Sequence, residues 1–207
     1  MSFIKLFKNF VDQQYGNPKG LVGLYIGEKM VQQHQPETLW TINLLSPQPD
    51  DTILELGCGA GYAVKQVIGQ FKVKQIVGLD ISKTVIQSAR IRNRKDILNG
   101  KVRFLQGDVK HLPFEDNSFS KVFSIQSIYF WGDLPNTLSE IYRVIKPGGS
   151  IIITLSDGED NKKWEGITDL LNDQVMPIMD QCGFKNIEKL KGPDSRQFQT
   201  VAIKASI

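Results

Sequence analysis

Residues 53–62, ILELGCGAGY, place three glycines at alternate positions directly after a run typical of a β-strand. The glycines are Gly57, Gly59 and Gly61, and the carboxylate of Glu55 precedes the first by two residues. An ordered glycine loses more backbone entropy than any other residue, which costs about 0.5–1 kcal/mol relative to alanine. Three of them so close together therefore indicate a turn that needs positive φ, close approach of another group to the backbone, or both.

Around this turn the chain alternates between apolar runs and helix-like segments. Runs typical of strands lie at 51–56, 75–80, 102–106, 121–126 and 150–155, and helical patterns lie at 61–71, 82–95, 134–145 and 162–181. Continuous apolar strands separated by helices predict βαβ units and an α/β fold with a buried, doubly wound parallel sheet. The tail FKNIEKLKGPDSRQFQTVAIK predicts two strands joined at a Gly-Pro-Asp turn, an antiparallel hairpin at one edge.

The helix ends carry recognisable signals. Ser82 is predicted to cap the helix that follows it, and Asp133, with Pro135 in the first turn, is predicted to cap the next one. Lys-Pro-Gly-Gly at 146–149 ends that helix. Residues 1–48 look helical and irregular, and we expect them to form a cap over the carboxyl ends of the strands, where open α/β sheets bind ligands. Residues 49–207 are expected to form one compact unit.

A strand, a glycine turn and a helix together form the layout that binds a nucleotide-like ligand. Asp80 closes the second strand, 23 residues after Gly57, where an acidic residue accepts hydrogen bonds from ribose hydroxyls. A dinucleotide site needs its third glycine at position 62, where this chain has Tyr62. An NAD(P)-dependent oxidoreductase is therefore the weaker alternative. A binding module without catalysis is a second alternative.

The motifs from Glu55 to Gly61, with Asp80, resemble the opening motifs of class I S-adenosylmethionine-dependent methyltransferases. Three later segments resemble the same family in the family's order, namely GDVKHLPF, FSKVFSIQSIYFWGD and EIYRVIKPGG. The resemblance covers roughly 50–155. It implies a Rossmann-like sheet of seven strands and S-adenosylmethionine as the cofactor, and it looks closest to the small-molecule branch of ubiquinone and menaquinone biosynthesis enzymes. Ser120 stands where many relatives have Asp, and we interpret that position as structural.

The resemblance also implies roles for individual residues. Asp108 is expected to bind the adenine amino group, although Gly-Asp could simply form a turn. Glu55 is expected near the methionine end of the cofactor, although a strand-end carboxylate could also pair locally. Ile81 is expected on the adenine ring, or in the core. The full expected cofactor set is Glu55, Gly57, Cys58, Gly59, Gly61, Asp80, Ile81, Asp108, Val109, Ser124 and Gln126.

The substrate pocket is predicted less directly. Tyr129 and Trp131 belong to an aromatic run after the fourth strand, and Tyr15 comes from the predicted cap. Gln126 could bind either the methionine moiety or the substrate. Aligning the methyl donor with its acceptor supplies much of the catalysis, so a base need not show in the sequence. If one is needed, Tyr129 or a pocket carboxylate could serve.

Composition sets outer limits on partners and compartment. The net charge is +3 over 207 residues with no long basic run, so nucleic acid is an unlikely partner and a small, fairly apolar acceptor is the better prediction. The two cysteines form no motif, which predicts free thiols in the cytoplasm. The two histidines, His34 and His111, are interpreted as structural, and no spacing suits a metal. The apolar side of the segment MSFIKLFKNFV is expected to pack on the domain, with contact to a membrane surface as the alternative. Nothing in the sequence indicates an oligomeric state.

Overall fold

The computed structural model describes residues 34–160 and 162–207. Eight strands form one sheet: β1 Thr52–Leu56, β2 Gln75–Asp80, β3 Val102–Gln106, β4 Phe119–Ile125, β5 Ile145–Glu159, β6 Lys162–Lys163, β7 Lys185–Lys191 and β8 Phe198–Ser206. The helices are α1 Gln35–Leu45, α2 Tyr62–Gln70, α3 Lys83–Arg92, α4 Arg94–Leu98, α5 Leu134–Val144, α6 Glu165–Asp169 and α7 Met176–Cys182. A short 3₁₀ helix spans Ile128–Phe130, and a π-helix, Leu170–Val175, joins α6 to α7.

The strand order is β3-β2-β1-β4-β5-β8-β7, and β6 pairs with β5 beside this path. Strands β1 to β5 pair in parallel, whereas β8 is antiparallel to both β5 and β7. This confirms the predicted α/β sheet and its closing antiparallel hairpin. The chain order reverses between β1 and β4, which makes the carboxyl ends of these two strands the place where a ligand crevice forms in such sheets.

The predicted helix signals are confirmed. Ser82 Oγ accepts a hydrogen bond from the Val85 amide at 3.4 Å, and Asp133 Oδ1 accepts one from the Asn136 amide at 3.2 Å. Strand β5 is longer than predicted because it starts directly at the end of α5 and includes the Pro-Gly-Gly segment. The helix predicted at 162–181 is divided into α6, the π-helix and α7, and Pro177 at the start of α7 lacks the N–H needed for a regular α-helical bond.

Helices cover both faces of the sheet. Helix α5, the π-helix and α7 bury one face with residues such as Leu138, Ile141 and Val175, while α1, α2 and α3 bury the other. Ile42 and Leu45 of α1 are almost fully buried on the second face, and Thr41 Oγ1 of α1 lies 2.7 Å from Thr154 Oγ1 of β5. The division into a cap at 1–48 and a domain at 49–207 stays a prediction, since residues 1–33 lie outside the described part. None of the helices within the described ranges is both long and apolar enough to cross a bilayer.

Candidate active site

The three glycines adopt the left-handed backbone conformation, with φ of 70° at Gly57, 50° at Gly59 and 72° at Gly61. Their surroundings differ. A Cβ on Gly57 would lie 2.4 Å from Ser127 Cβ. A Cβ on Gly61 would lie 2.8 Å from Phe104 Cζ. At Gly59 a Cβ would meet no atom within 4 Å, and this residue lines a cavity at the carboxyl ends of β1 and β4. The outer glycines therefore allow tight packing, and the middle one leaves the backbone open to a ligand.

Asp80 holds the open part of the glycine loop. Its Oδ2 accepts the Gly59 amide at 2.9 Å, and its Oδ1 accepts the Ser82 amide at 2.8 Å. Burial raises the pKa of Asp80, although these two amide bonds oppose that shift. Because a carboxylate has about four lone-pair sites, two remain for ligand hydroxyls on the cavity side, where Asp80 is part of the wall.

The loop is also held from behind by residues that the sequence did not single out. Asn93, which is fully buried, donates from Nδ2 to the Gly61 carbonyl at 3.0 Å and to the Ala89 carbonyl at 2.9 Å. Arg92 donates to the Ala60 carbonyl. Both residues stand more than 30 positions along the chain from the loop, so only the packing of α3 against α2 reveals their role.

Glu55, just before the loop, and Cys58, within it, both contribute to the cavity wall. Glu55 is 4% exposed, and its Oε2 has no hydrogen-bond partner among the described residues. Burial, reinforced by the charge of Asp80, raises the pKa of Glu55 well above its usual range. Burial likewise raises the pKa of the Cys58 thiol, so this cysteine stays neutral and is a poor nucleophile.

The titration of Glu55 gives a testable pH dependence in the free protein. Because its pKa is raised on folding, the unfolded state loses this proton first, and stability falls as pH rises above the ordinary carboxyl value, by at most about 1.4 kcal/mol per pH unit. We expect Glu55→Gln to be more stable than the wild type at pH 8, with the difference vanishing toward pH 4. Urea unfolding at several pH values measures this. A difference that stays constant with pH would contradict it.

A second wall of the cavity contains Ile81, Gly107, Asp108 and Val109. Ile81 is 48% exposed, so it is a surface of the cavity and not a core residue. Asp108 Oδ1 accepts the Lys110 amide at 3.0 Å, and its Oδ2 lies 3.4 Å from Lys110 Nζ. Asp108 therefore both shapes a turn and lines the cavity, and its bond to the adenine amino group stays a prediction.

The end of β4 forms the third wall. Gln126, with φ of 56°, lines the cavity, and its amide is held by Ser156 and by the Tyr129 hydroxyl. Ser124 is buried and does not line the cavity; its Oγ lies 2.6 Å from Oγ of Ser127, which does. Ser124 could act on a ligand only through Ser127.

The aromatic run supplies Phe130 and Trp131 to the cavity, whereas Tyr129 is not part of its wall. The Tyr129 hydroxyl has two acceptors within hydrogen-bond distance, Gln126 Oε1 at 3.0 Å and the Ser156 carbonyl at 2.9 Å, and it accepts from the Ser156 amide at 2.8 Å. Burial raises the pKa of Tyr129, so its hydroxyl stays protonated and is unsuited to act as a base. Its hydrogen bonds to Ser156 instead fix the loop. Phe130 is 54% exposed and lines the cavity. The prediction that Tyr129 lines the pocket is therefore wrong, and Phe130 does so instead. Tyr15 lies outside the described residues.

His34 and Thr38 also line the cavity, from the start of α1. From the sequence His34 is predicted to be structural, because no spacing around it suits a metal, whereas the structure places it in the cavity wall. Within residues 34–160 and 162–207, no three His, Cys, Asp or Glu side chains are arranged to hold a metal ion.

Comparison with known proteins agrees with this geometry. Residues 54–153 match a family described as a methyltransferase domain. The chain is 30% identical over 162 residues to the uncharacterized methyltransferase YdaC of Bacillus subtilis. The aligned residues make up 78% of this chain and 87% of YdaC.

Two further matches are more distant. A sterol 24-C-methyltransferase of Pneumocystis carinii is 41% identical over 99 residues, which is 48% of this chain but only 26% of that enzyme. A Haloferax volcanii methyltransferase, solved with the Trm112 methyltransferase activator, has the same fold, with a TM-score of 0.71, 22% identity, and coverage of 87% of this chain and 92% of that one. The narrower likeness to quinone biosynthesis enzymes stays a prediction.

The open backbone at Gly59, the anchored Asp80 beside it and the extended match to a methyltransferase of similar length lead to one conclusion: this chain belongs to the class I S-adenosylmethionine-dependent methyltransferases.

Proposed function

We propose that this protein transfers the methyl group of S-adenosylmethionine, in line, to a small and largely apolar acceptor. The observation that carries the proposal is the character of the third wall, where the exposed ring of Phe130 and the indole of Trp131 face the same cavity as the glycine loop. Flat aromatic surfaces favour apolar partners because they lose unfavourable contact with water on binding. The sequence match to a sterol methyltransferase supports the same class of acceptor.

The residues around the cavity suit the cofactor. Bound S-adenosylmethionine supplies an activated methyl group on a positively charged sulfur. Gly59 leaves room for a ligand at the backbone, Asp80 offers lone pairs for two vicinal hydroxyls, and Ile81 offers an apolar surface for a flat base. The unpartnered Glu55 Oε2 is a ready acceptor for an ammonium group or for an intervening water.

The protein's own contribution to the reaction is to orient and to exclude water. Gln126 and Tyr129 lock the loop after β4 against Ser156, so the aromatic wall is fixed before any ligand arrives. Holding two reactants in a productive geometry contributes about 7–11 kcal/mol to lowering the barrier. Tyr62 stands in the wall where a dinucleotide-binding loop has its third glycine, which argues against the oxidoreductase alternative.

The test combines transfer and stereochemistry. We expect the wild-type protein to move label from methyl-labelled S-adenosylmethionine to apolar acceptors that extract into organic solvent, in preference to peptides or RNA. With a chiral methyl group, in-line transfer inverts configuration. Retention would contradict direct transfer, and cofactor binding by calorimetry without turnover of any acceptor would favour a non-catalytic module.

A further inference from the structure

His34 lines the cavity and stands just before α1 begins. Its ring is partly buried, with 24% of the side chain exposed, and Nδ1 lies 2.6 Å from Oε1 of Glu37. Within the described residues no hydrogen bond is made by Nε2. A histidine that lines a cavity and is held at one ring nitrogen has its second nitrogen left for proton transfer, which is the arrangement of a general base.

Glu37 is a buried carboxylate, 1% exposed, in the first turn of α1. Burial opposes its ionisation, but hydrogen bonds from His34 and Ser195 outweigh burial and hold the pKa of Glu37 below its usual range. An ionised carboxylate only accepts hydrogen bonds, so Nδ1 of His34 must be the donor. The neutral imidazole therefore carries its lone pair on Nε2.

The pair is tied to the wall that holds the acceptor. Gln126 Nε2 lies 3.5 Å from the same Glu37 oxygen that binds His34, and Gln126 Oε1 accepts the Tyr129 hydroxyl at 3.0 Å. The neighbouring ring of Phe130 has its centroid 6.3 Å from that of Tyr129. One network thus links the histidine to the aromatic wall.

A purely structural interpretation is available, because His34 and Glu37 are three residues apart at a helix start. Two features favour a role in the reaction. The His34 side chain makes no capping hydrogen bond to α1. A charged pair at a helix start also gains little stability from burial, yet the Glu37 carboxylate is only 1% exposed. The buried carboxylate instead fixes the orientation of an imidazole ring that lines the cavity.

We propose that His34 is the general base of this methyltransferase, positioned by Glu37, and that the acceptor is a hydroxylated aromatic compound. This inference rests on the proposed function. As a lone pair of the acceptor oxygen forms the O–CH₃ bond, the S–CH₃ bond breaks with its electron pair left on sulfur, and the hydroxyl proton passes to Nε2. The imidazolium beside Glu37 then returns the proton to water through the exposed edge of His34.

The first test needs no turnover. The chain has only two histidines, His34 and His111, so imidazole ¹⁵N spectra of the free protein are simple, and a His111→Gln variant assigns them. We expect the neutral form of His34 to be the Nδ1–H tautomer, and Glu37→Gln to abolish that preference. The Nε2–H tautomer in the wild type would overturn the proposal.

The second test compares acceptors of different acidity. His34→Ala and His34→Gln are expected to lose about a hundredfold or more in kcat on weakly acidic naphthols and phenols. The loss should shrink for 4-nitrophenol, which is largely ionised at pH 8 and needs no base, and added imidazole should restore part of the activity of His34→Ala. His111→Gln is the matched control and should behave as the wild type.

Two controls separate this proposal from the proposed function. The formation of S-adenosylmethionine from S-adenosylhomocysteine and methyl iodide moves a methyl group without any proton, so His34→Ala should lose far less of this reaction than of phenol methylation. Its affinity for S-adenosylhomocysteine should likewise change far less than its kcat on weakly acidic phenols. An equal loss on all phenols, or no methylation of any phenol by a wild-type protein that reacts with methyl iodide, would overturn the inference. Failure to bind S-adenosylhomocysteine at all would instead overturn the proposed function.

Discussion

Replacing Asp80 with alanine is expected to weaken the binding of S-adenosylmethionine by at least tenfold. Two contributions to binding are lost, and the loss is larger if they add. The first contribution is the pair of hydrogen bonds that the carboxylate would accept from the ribose, since bonds to a charged group contribute about 1.5–3 kcal/mol each. The second is the order of the loop, because the Gly59 and Ser82 amides would lose their acceptors. Titration calorimetry measures the change.

The two contributions can be separated with a second ligand. S-adenosylhomocysteine and its 2′,3′-dideoxy analogue differ only in the hydroxyls, so the wild type should discriminate strongly between them and Asp80→Ala should not. If the variant binds both ligands more weakly by the same factor, Asp80 acts only on the loop. Unchanged affinity for S-adenosylhomocysteine would remove Asp80 from the site. Asp108→Ala is a useful comparison, because that carboxylate lines the same cavity but accepts no bond from the glycine loop.

The features that could be predicted are those whose physical cause is local in the chain. Gly57, Gly59 and Gly61 reveal a positive-φ turn because no other residue adopts three such conformations so cheaply, and Ser82 and Asp133 reveal helix starts through their short polar side chains. The alternation of apolar strands and helices then determines the sheet. Asp80 follows because it ends the strand next to the glycine turn.

The features that could not be predicted depend on contacts between distant segments. Nothing near Asn93 in the sequence indicates that it binds the Gly61 carbonyl, and Ser127 gains its place only because β1 and β4 are neighbours. The sequence predicts that the aromatic run 129–131 contributes to the pocket, but which of its side chains point there is set by the Tyr129 hydroxyl bonds to Ser156 on β5. His34 is predicted from the sequence to be structural, and only the packing of α1 brings it to the cavity.

Alanine at Gly61 and alanine at Gly59 are expected to have opposite consequences, although the two residues share a positive φ and stand two positions apart. Both variants lose about 1–2 kcal/mol of stability to the left-handed backbone. Gly61→Ala adds overpacking, because the new Cβ would lie 2.8 Å from Phe104 Cζ and Asn93 Nδ2 and 2.9 Å from Ala89 Cβ. Overpacking of a close-packed region costs about 1–3 kcal/mol more.

Gly59→Ala should leave the fold largely intact and affect the ligand instead, since its Cβ meets no protein atom and stands on a residue of the cavity wall. Urea unfolding of the free proteins and calorimetric titration of S-adenosylhomocysteine together measure both effects. We expect Gly61→Ala to be the less stable variant. We expect Gly59→Ala to show the larger loss of affinity for S-adenosylhomocysteine compared with its loss of stability. Equal losses of stability with equal affinities would mean that the three glycines serve only the backbone turn, and that the space at Gly59 does not receive the cofactor.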